Sequence, residues 1–411
     1  MAAATREICS IVIYPDTTSG SAPADQLSAL AEYSHTLLGS LPAAERERHR
    51  ILTSVKSQAG HGYHDRGLEV LELWTKGRLG FAAQILRYLR RHPEVKVVHL
   101  QHEFNQFGKT LTIPLIPAMM LAIRWVLRRR CVVTLHEVLG PAVLKTELLE
   151  KLCINFPAGL ARVLMFFYYR LICAASHVVF VQHEDFRDVL IKEYRIKADI
   201  RLLPLGTLQQ PLVFPREESR QKLGYKADHR VLLFFGTIDW RKGLDVLMDA
   251  FAQLPAGYRL IIAGGQPVRI KDTPTYREWY NKLSARMASH PGIQTFGFIP
   301  DEDIARLFSA ADMVVLPYVI PQRVSAVLNQ AASYELPFIG SEAFAGHADP
   351  LALCKATAED LAAKIAWSFD GHLEDLRNYA RFYKKEHAWE RSAEILAATY
   401  AELMQDRPNQ A

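Results

Sequence analysis

Short β-branched apolar runs, each followed by a longer stretch with helical periodicity, recur along the whole chain and limit its fold more than any other feature. In the first half they fall at Ile8–Tyr14, Ile51–Val55, Val95–Gln101, Cys131–His136, His177–Gln182 and Ile200–Pro204. In the second half they fall at Val231–Phe235, Tyr258–Ala263, Ile293–Phe296, Met313–Pro317 and Pro337–Gly340. Runs that are continuously apolar read as strands buried on both faces, and strands alternating with helices read as parallel sheet. Gly206, Pro211 and Pro215 interrupt the pattern over Gly206–Glu217. A length of 411 residues also suits two domains. The expectation is an α/β protein with two doubly wound, Rossmann-like domains and a cleft between them. Their bounds are predicted at 1–208 and 209–385, and residues 386–411 as a helix packing back on the first domain. Periodicity makes Leu373–Met404 helical, and Trp389 and Tyr400 need burial there.

Composition narrows the class further. With 49% hydrophobic and 23% charged residues, collagenous and disordered chains are excluded. The five cysteines, Cys9, Cys131, Cys153, Cys173 and Cys354, are odd in number and scattered, which points to free thiols in a reducing compartment. The first residues lack the basic-then-apolar order of a secretory signal. Arg124, Arg162 and Arg170 break the apolar tracts before any reaches the ~18 residues of a spanning helix. A cytoplasmic protein is expected, with a peripheral place at the inner face of the membrane as its one membrane contact.

The net charge of +5 is unevenly spread. Residues 1–206 hold 26 Lys and Arg against 19 Asp and Glu, and the remainder 23 against 25. Over 85–130 nine basic residues face only Glu94 and Glu103. Such a stretch suits nucleic acid, anionic lipid or a phosphorylated substrate. No zinc-finger spacing or RNA-binding motif accompanies it, so no nucleic-acid partner is expected. Residues 118–130 join an apolar body to a basic end, the pattern of a peripheral membrane contact. Leu160–Cys173 is similar but reads better as a core helix whose arginines reach outward.

Ligands of open parallel sheets bind beyond the C-terminal strand ends. His102-Glu103, His136-Glu137 and His183-Glu184 each follow an expected strand and would line one edge of the first sheet. Their spacing lacks the HExxH pattern of a zinc site, so no metal is expected. Asp301-Glu302-Asp303 sits where carboxylates suit a helix start. Gly20, between Ser19 and Ser21 after the first strand, would bring backbone N–H groups to a phosphate or sugar. In the second half, Arg241-Lys242-Gly243 enters an amphipathic helix. Two cations at a helix N-terminus are misplaced unless an anion sits there, and a diphosphate repairs the mismatch.

Four further segments complete the second-half pattern: Ile261-Ile-Ala-Gly-Gly265, Gly297-Phe-Ile-Pro-Asp301, Ala311-Asp-Met-Val-Val-Leu-Pro317 and Val324-Ser-Ala-Val-Leu-Asn-Gln-Ala331, the last closing at Leu336-Pro-Phe-Ile-Gly340. Over 230–342 their order resembles retaining glycosyltransferase family 4, whose fold is GT-B. The resemblance implies a hexosyltransferase that uses a nucleotide-sugar donor (a GDP- or UDP-sugar) in polysaccharide or glycoconjugate synthesis. The acceptor would be a saccharide or a lipid-linked sugar, with no cofactor and no metal. Mannose is the preferred hexose. Lys242 with Arg241 would hold the diphosphate, and Gln322, Ser325, Ala326 and Val327 would meet the sugar and diphosphate. Gln330 would lie by the ribose and Gly297 to Ile299 by the base. His136 would reach the transferred sugar, and the Gly20 loop, His102 and Glu103 would add substrate contacts. Catalysis would rest on His136, Lys242 and Gln322.

The chain departs from that family at three places. The common Glu-x7-Glu pair is here Gln322 and Gln330, which lack the strength of a charge-assisted hydrogen bond. Thr237 stands for the usual arginine, and Glu335 for the usual glycine at a helix end. A catalytically silent homologue that binds a sugar nucleotide or a partner protein is the alternative reading.

Overall fold

A computed structural model of the chain describes residues 5–15, 29–55, 62–104, 106–108, 110–141, 144, 157–267, 270–321 and 324–405. Two compact units result: Met1–Leu205 together with Trp389–Ala411, and Gly206–Ala388. The first is built on an eight-stranded sheet in the order β3-β4-β2-β1-β5-β6-β7-β8. Its strands are β1 (Ile8–Ile11), β2 (His49–Ser54), β3 (Gly62–Asp65), β4 (Leu68–Trp74), β5 (Val97–His102), β6 (Arg130–Leu135), β7 (Val178–Val181) and β8 (Asp199–Leu202). All neighbours run parallel except β3 against β4. The second unit holds six parallel strands in the order β11-β10-β9-β12-β13-β14. These are β9 (Arg230–Phe235), β10 (Tyr258–Ala263), β11 (Ile293–Phe296), β12 (Met313–Leu316), β13 (Phe338–Ser341) and β14 (Leu353–Cys354).

Every expected strand is present. The continuous apolar runs are buried along their length: β5, β7, β12 and β13 have no exposed residue. Burial of this kind leaves the backbone no alternative to ladder hydrogen bonds. Three strands were not expected. β4 alternates Leu68, Val70 and Trp74 inward with Glu69 and Glu72 between them, so it lacks the uninterrupted run of its neighbours. The β3–β4 turn uses Arg66 and Gly67, both at positive φ, instead of the usual Asn-Gly. β14 is only two residues long.

The C-terminal helical tract is two helices, Leu373–Glu386 and Trp389–Gln405, parted at His387 and Ala388. Trp389 and Tyr400 are buried in the first unit, the former edge-on to Tyr33 at 5.1 Å. Tyr400 enters a buried polar chain: its hydroxyl meets His99 Nδ1 at 2.6 Å, and His99 Nε2 meets Thr134 Oγ1 at 2.8 Å. His49 Nε2 lies 2.7 Å from Ser10 Oγ in the same core. The terminal helix is thereby tied to β5, and through His99 to β6, by polar contacts that a merely apolar face would not supply. Cys9, Cys131, Cys173 and Cys354 are free thiols, and Cys153 lies outside the described residues.

At the end of the helix Ala326–Ser333, Glu335 has φ +52°, the left-handed conformation that glycine takes without strain. Its carboxylate bonds Arg381 at 3.2 Å and Lys384 at 3.1 Å. Burial opposes its ionisation, but those two bonds outweigh it and hold the group below the usual range.

Two stability predictions arise. Glu335→Gly loses the partly exposed ion pairs but relieves the φ strain, whereas Glu335→Ala only loses the pairs. The glycine variant should therefore be the more stable by ~1 kcal/mol in denaturant titrations. Equal stabilities would mean that the positive φ carries no strain. Burial also lowers His49 to about 3, His102 to about 4 and His99 well below its ordinary value. The unfolded chain protonates these rings first, so their contribution is complete above ~pH 6.5 and declines as pH falls toward their folded values. Each ring can remove up to ~1.4 kcal/mol per pH unit in that window. Thermal midpoints should fall from pH 6.5 to 5, where carboxylates are still ionised, and His49→Gln should flatten the slope.

Candidate functional site

The strand order of the second unit reverses direction between β9 and β12, and such a switch point opens a crevice at the C-terminal strand ends. The loop after β9 starts at Gly236, φ +106°, and runs through a short turn, Trp240–Lys242, to Gly243. Asp239 is buried and orders this loop. Its carboxylate accepts the backbone N–H of Arg241 at 2.9 Å and the Arg241 guanidinium at 2.6 Å from Nη2. Arg241 is thus folded back on its own loop with one face exposed.

Lys242 takes the opposite course. Its ammonium lies where a side chain at residue 236 would begin: a Cβ added to Gly236 would sit 2.6 Å from Nζ. The ring of Tyr318 is 5.7 Å away. Burial lowers the Lys242 pKa to about 8, with the field of Asp239 opposing the shift and that of Arg241 adding to it. Among the described residues no carboxylate lies within 4.0 Å of Nζ. A desolvated cation without a counter-ion is costly, and it prepares a site for an anion.

The segment after β12 closes around the same point. Gly243 packs so near that a Cβ there would stand 2.0 Å from the Pro317 carbonyl oxygen, and Val319 N–H donates to Arg241 O at 3.0 Å. Tyr318 is buried, and burial pushes its phenol up to about 12, with Ser325 opposing the shift. Ser325 caps the helix Ala326–Ser333 by accepting from Leu328 N–H. Ala326 is exposed and Val327 is buried, its Cγ2 3.4 Å from the notional Cβ of Gly236. The cation of Lys242 and a helix N-terminus therefore share one strand edge, and both stabilise negative charge. Gln330 is half-buried one turn along that helix, and Gln322 lies outside the described residues.

Gly297 follows β11 with open space around it, and Ile299 packs against the core. Between them Phe298 is exposed, its ring 3.6 Å from the position of a Cβ on Gly265. Sequence reasoning missed Tyr318, Asp239 and the role of Gly236. Tyr318 carried one signal, its place directly after the proline that ends β12.

In the first unit His102, His136 and His183 stand at the ends of the adjacent strands β5, β6 and β7. His136 is clamped: Nε2 is 2.8 Å from Gln101 Oε1 and Nδ1 is 2.9 Å from Gln182 Nε2, with Tyr33 edge-on at 4.5 Å. Burial lowers it to about 3, so the ring is neutral at physiological pH. A sugar hydroxyl reaches either nitrogen only by displacing an amide. His102 is buried with Nε2 on the Tyr168 hydroxyl, and its Nδ1 has no partner among the described residues. Glu103 is half-buried and its carbonyl accepts Gln106 N–H at 3.1 Å. His183 Nδ1 accepts Asp185 N–H and caps the helix Glu184–Asp188. Gly20 lies outside the described residues.

Comparison with known proteins finds likenesses over part of the chain and over its fold. Residues 229–370 match the family model described as Glycosyl transferases group 1. The chain is 25% identical over 262 residues to a D-inositol 3-phosphate glycosyltransferase of Xylanimonas cellulosilytica, covering 58% of this chain and 60% of that protein. It is 30% identical over 142 residues to the mannosylfructose-phosphate synthase of Agrobacterium fabrum, 31% of this chain and 30% of that one. The chain thus spans less than two thirds of either relative. Among solved structures it resembles a sucrose-phosphate synthase of Thermosynechococcus elongatus, with TM-score 0.68 and 17% identity over 97% of this chain and 98% of the other. It also resembles HepE of Anabaena in complex with UDP and glucose, with TM-score 0.69 and 15% identity over 96% and 99%. Residues 229–370 are thus similar to the glycosyl transferases group 1, and the two Rossmann-like sheets have the GT-B fold of the solved structures they match.

Proposed function

We propose that the chain is a retaining hexosyltransferase that takes its sugar from a nucleoside diphosphate donor, with a saccharide or lipid-linked acceptor and mannose as the preferred hexose. The observation that carries this reading is Lys242, a half-buried lysine with no carboxylate within 4.0 Å of its ammonium among the described residues, set beside Gly236 and the N-terminus of Ala326–Ser333. The diphosphate supplies the missing anion. Gly236 admits it because no side chain stands between the strand end and the ammonium. Ser325, Ala326 and Val327 offer backbone N–H groups at the helix entry, Gln330 the ribose side, and Gly297 to Ile299 the base. The solved HepE complex with UDP and glucose supports a donor of this class.

In the reaction the bond from the anomeric carbon to the donor phosphate oxygen breaks, and the acceptor hydroxyl oxygen bonds to that carbon on the same face. The hydroxyl proton passes to the departing phosphate. Negative charge grows on the nucleoside diphosphate, and Lys242 with the helix N-terminus stabilises it more in the transition state than in the ground state. Neither a protein nucleophile nor a bound metal is needed for this step. His136, neutral and clamped, would act through shape and hydrogen bonding, with Gln101 and Gln182 holding its ring.

Calorimetric titration with UDP, GDP and ADP tests the site. Lys242→Ala should lose about 1.5–3 kcal/mol, about 10- to 150-fold, for the preferred nucleotide. Unchanged affinity removes Lys242 from the donor site. With a pKa of about 8 in the free protein, Lys242 binds the anion as the ammonium, so affinity should hold below pH 8 and fall above it. Lys242→Arg should abolish that decline. Nucleotide binding without transfer across a broad acceptor panel would instead favour a silent homologue, the outcome that Gln330 in place of a carboxylate makes chemically reasonable.

A further inference from the structure

The helix Ala158–Ala174 does not sit in the core as its composition suggests. One side is buried through Tyr168, Tyr169, Ile172 and Cys173. That side is also pinned: the Tyr168 hydroxyl meets His102, and the Tyr169 hydroxyl accepts the N–H of Leu139 at 2.9 Å. The helix therefore cannot roll, and Leu160, Val163, Leu164, Phe167 and Leu171 are left 44% to 58% exposed along the other side. Their spacing of three, four, seven and eleven residues is one continuous helical stripe. An exposed apolar run of this length on a water-soluble surface marks a contact face.

A second exposed apolar pair lies on the neighbouring helical turn. Arg124 donates to the carbonyl oxygens of Ala174 and Ser176, at 3.1 and 2.6 Å, and so joins that turn, Ala122–Val126, to the helix end. That turn carries Trp125 and Val126, 65% and 76% exposed. Charge decides what covers the face. Residues 104–183 hold nine Lys and Arg against three acidic residues, and Ala158–Ala174 has no acidic residue at all. A second copy laid on the stripe helix to helix would set Arg162 and Arg170 against their own kind, since Ala158–Ala174 carries no carboxylate to answer them. Phosphate headgroups answer them, and acyl chains take the apolar side chains.

We propose that this stripe, with Trp125 and Val126, is a face that rests on an anionic phospholipid bilayer. Leu164 and Phe167 enter the acyl boundary, and Arg162 and Arg170, which also donate to the carbonyls of Leu144 and Arg195 at 3.3 and 3.2 Å, keep their charge at headgroup level. No described helix is long and apolar enough to cross a membrane, so the contact lies in the interface plane. The proposal does not depend on the donor reading, because the stripe belongs to the first unit and Lys242 to the second.

Co-sedimentation of the full chain with vesicles of neutral phosphatidylcholine, or of phosphatidylcholine with phosphatidylglycerol, tests it. Binding to the anionic vesicles is expected, falling at least tenfold in Leu164→Gln/Phe167→Gln. Arg162→Gln/Arg170→Gln should reduce the preference for anionic over neutral vesicles. Both replace exposed residues, and an unchanged thermal midpoint and nucleotide titration show that each unit remains folded. No vesicle binding, or binding that the Leu164/Phe167 variant leaves intact, overturns the proposal. So does a dimer in sedimentation velocity that this variant dissolves without any vesicle binding, since the face would then join two copies.

Discussion

A half-buried ammonium with no counter-ion among the described residues is the constraint on which the second unit is arranged. Burial makes Lys242 expensive to keep charged, and the loop spends its one nearby carboxylate elsewhere: Asp239 is saturated by Arg241 and by the backbone of its own turn. Had Asp239 paired with Lys242, the site would hold its own anion and have less use for another. The surroundings preserve the imbalance instead. Gly236 leaves the space open, the Tyr318 ring faces the cation without neutralising it, and the Ser325 cap fixes a helix whose N-terminus adds partial positive charge. Tyr318 links these parts, since its ring lies near Lys242 and Ser325 acts on its hydroxyl against the burial that raises its pKa.

The sheet supplies the frame for this arrangement. In the order β11-β10-β9-β12-β13-β14, chain connections leave the ends of β9 and β12 toward opposite sides, so neither covers the gap. Close backbone approach then brings the two loops together, and it is allowed only because Gly243 has no Cβ to strike the Pro317 carbonyl. Packing, charge and topology therefore converge on the same few residues, which is how local choices consistent with the global fold specify one structure.

Much of this was legible in the sequence, for physical reasons that also explain the exceptions. Strands buried on both faces are mostly apolar, so β7 and β12 announce themselves outright and β9 and β10 along most of their length. β4 has one face partly open and alternates with glutamates, which dilutes the signal. Lys242 was legible because a cation at a helix entry contradicts the macrodipole. Asp239 was not, since its effect lies in a partnership formed only when the turn closes. Glu335 shows the converse: the sequence marks it as a misfit for a left-handed helix end, and the backbone adopts φ +52° regardless, with Arg381 and Lys384 supporting the side chain.

Ala158–Ala174 shows where pattern fails altogether. Its residues are apolar nearly all round, which on composition alone means burial. What turns one face outward is a pair of tyrosines whose hydroxyls have fixed partners, His102 at the end of β5 and Leu139 after β6. Tyrosines at 168 and 169 reveal nothing about those partners until the strands are in register. Once they are, the two hydrogen bonds choose the helix's rotation, and the rotation leaves five large apolar side chains in water. Hydrophobic burial on folding is thereby left incomplete in the isolated chain, and the remaining driving force is available for association with a surface that offers both hydrocarbon and negative charge.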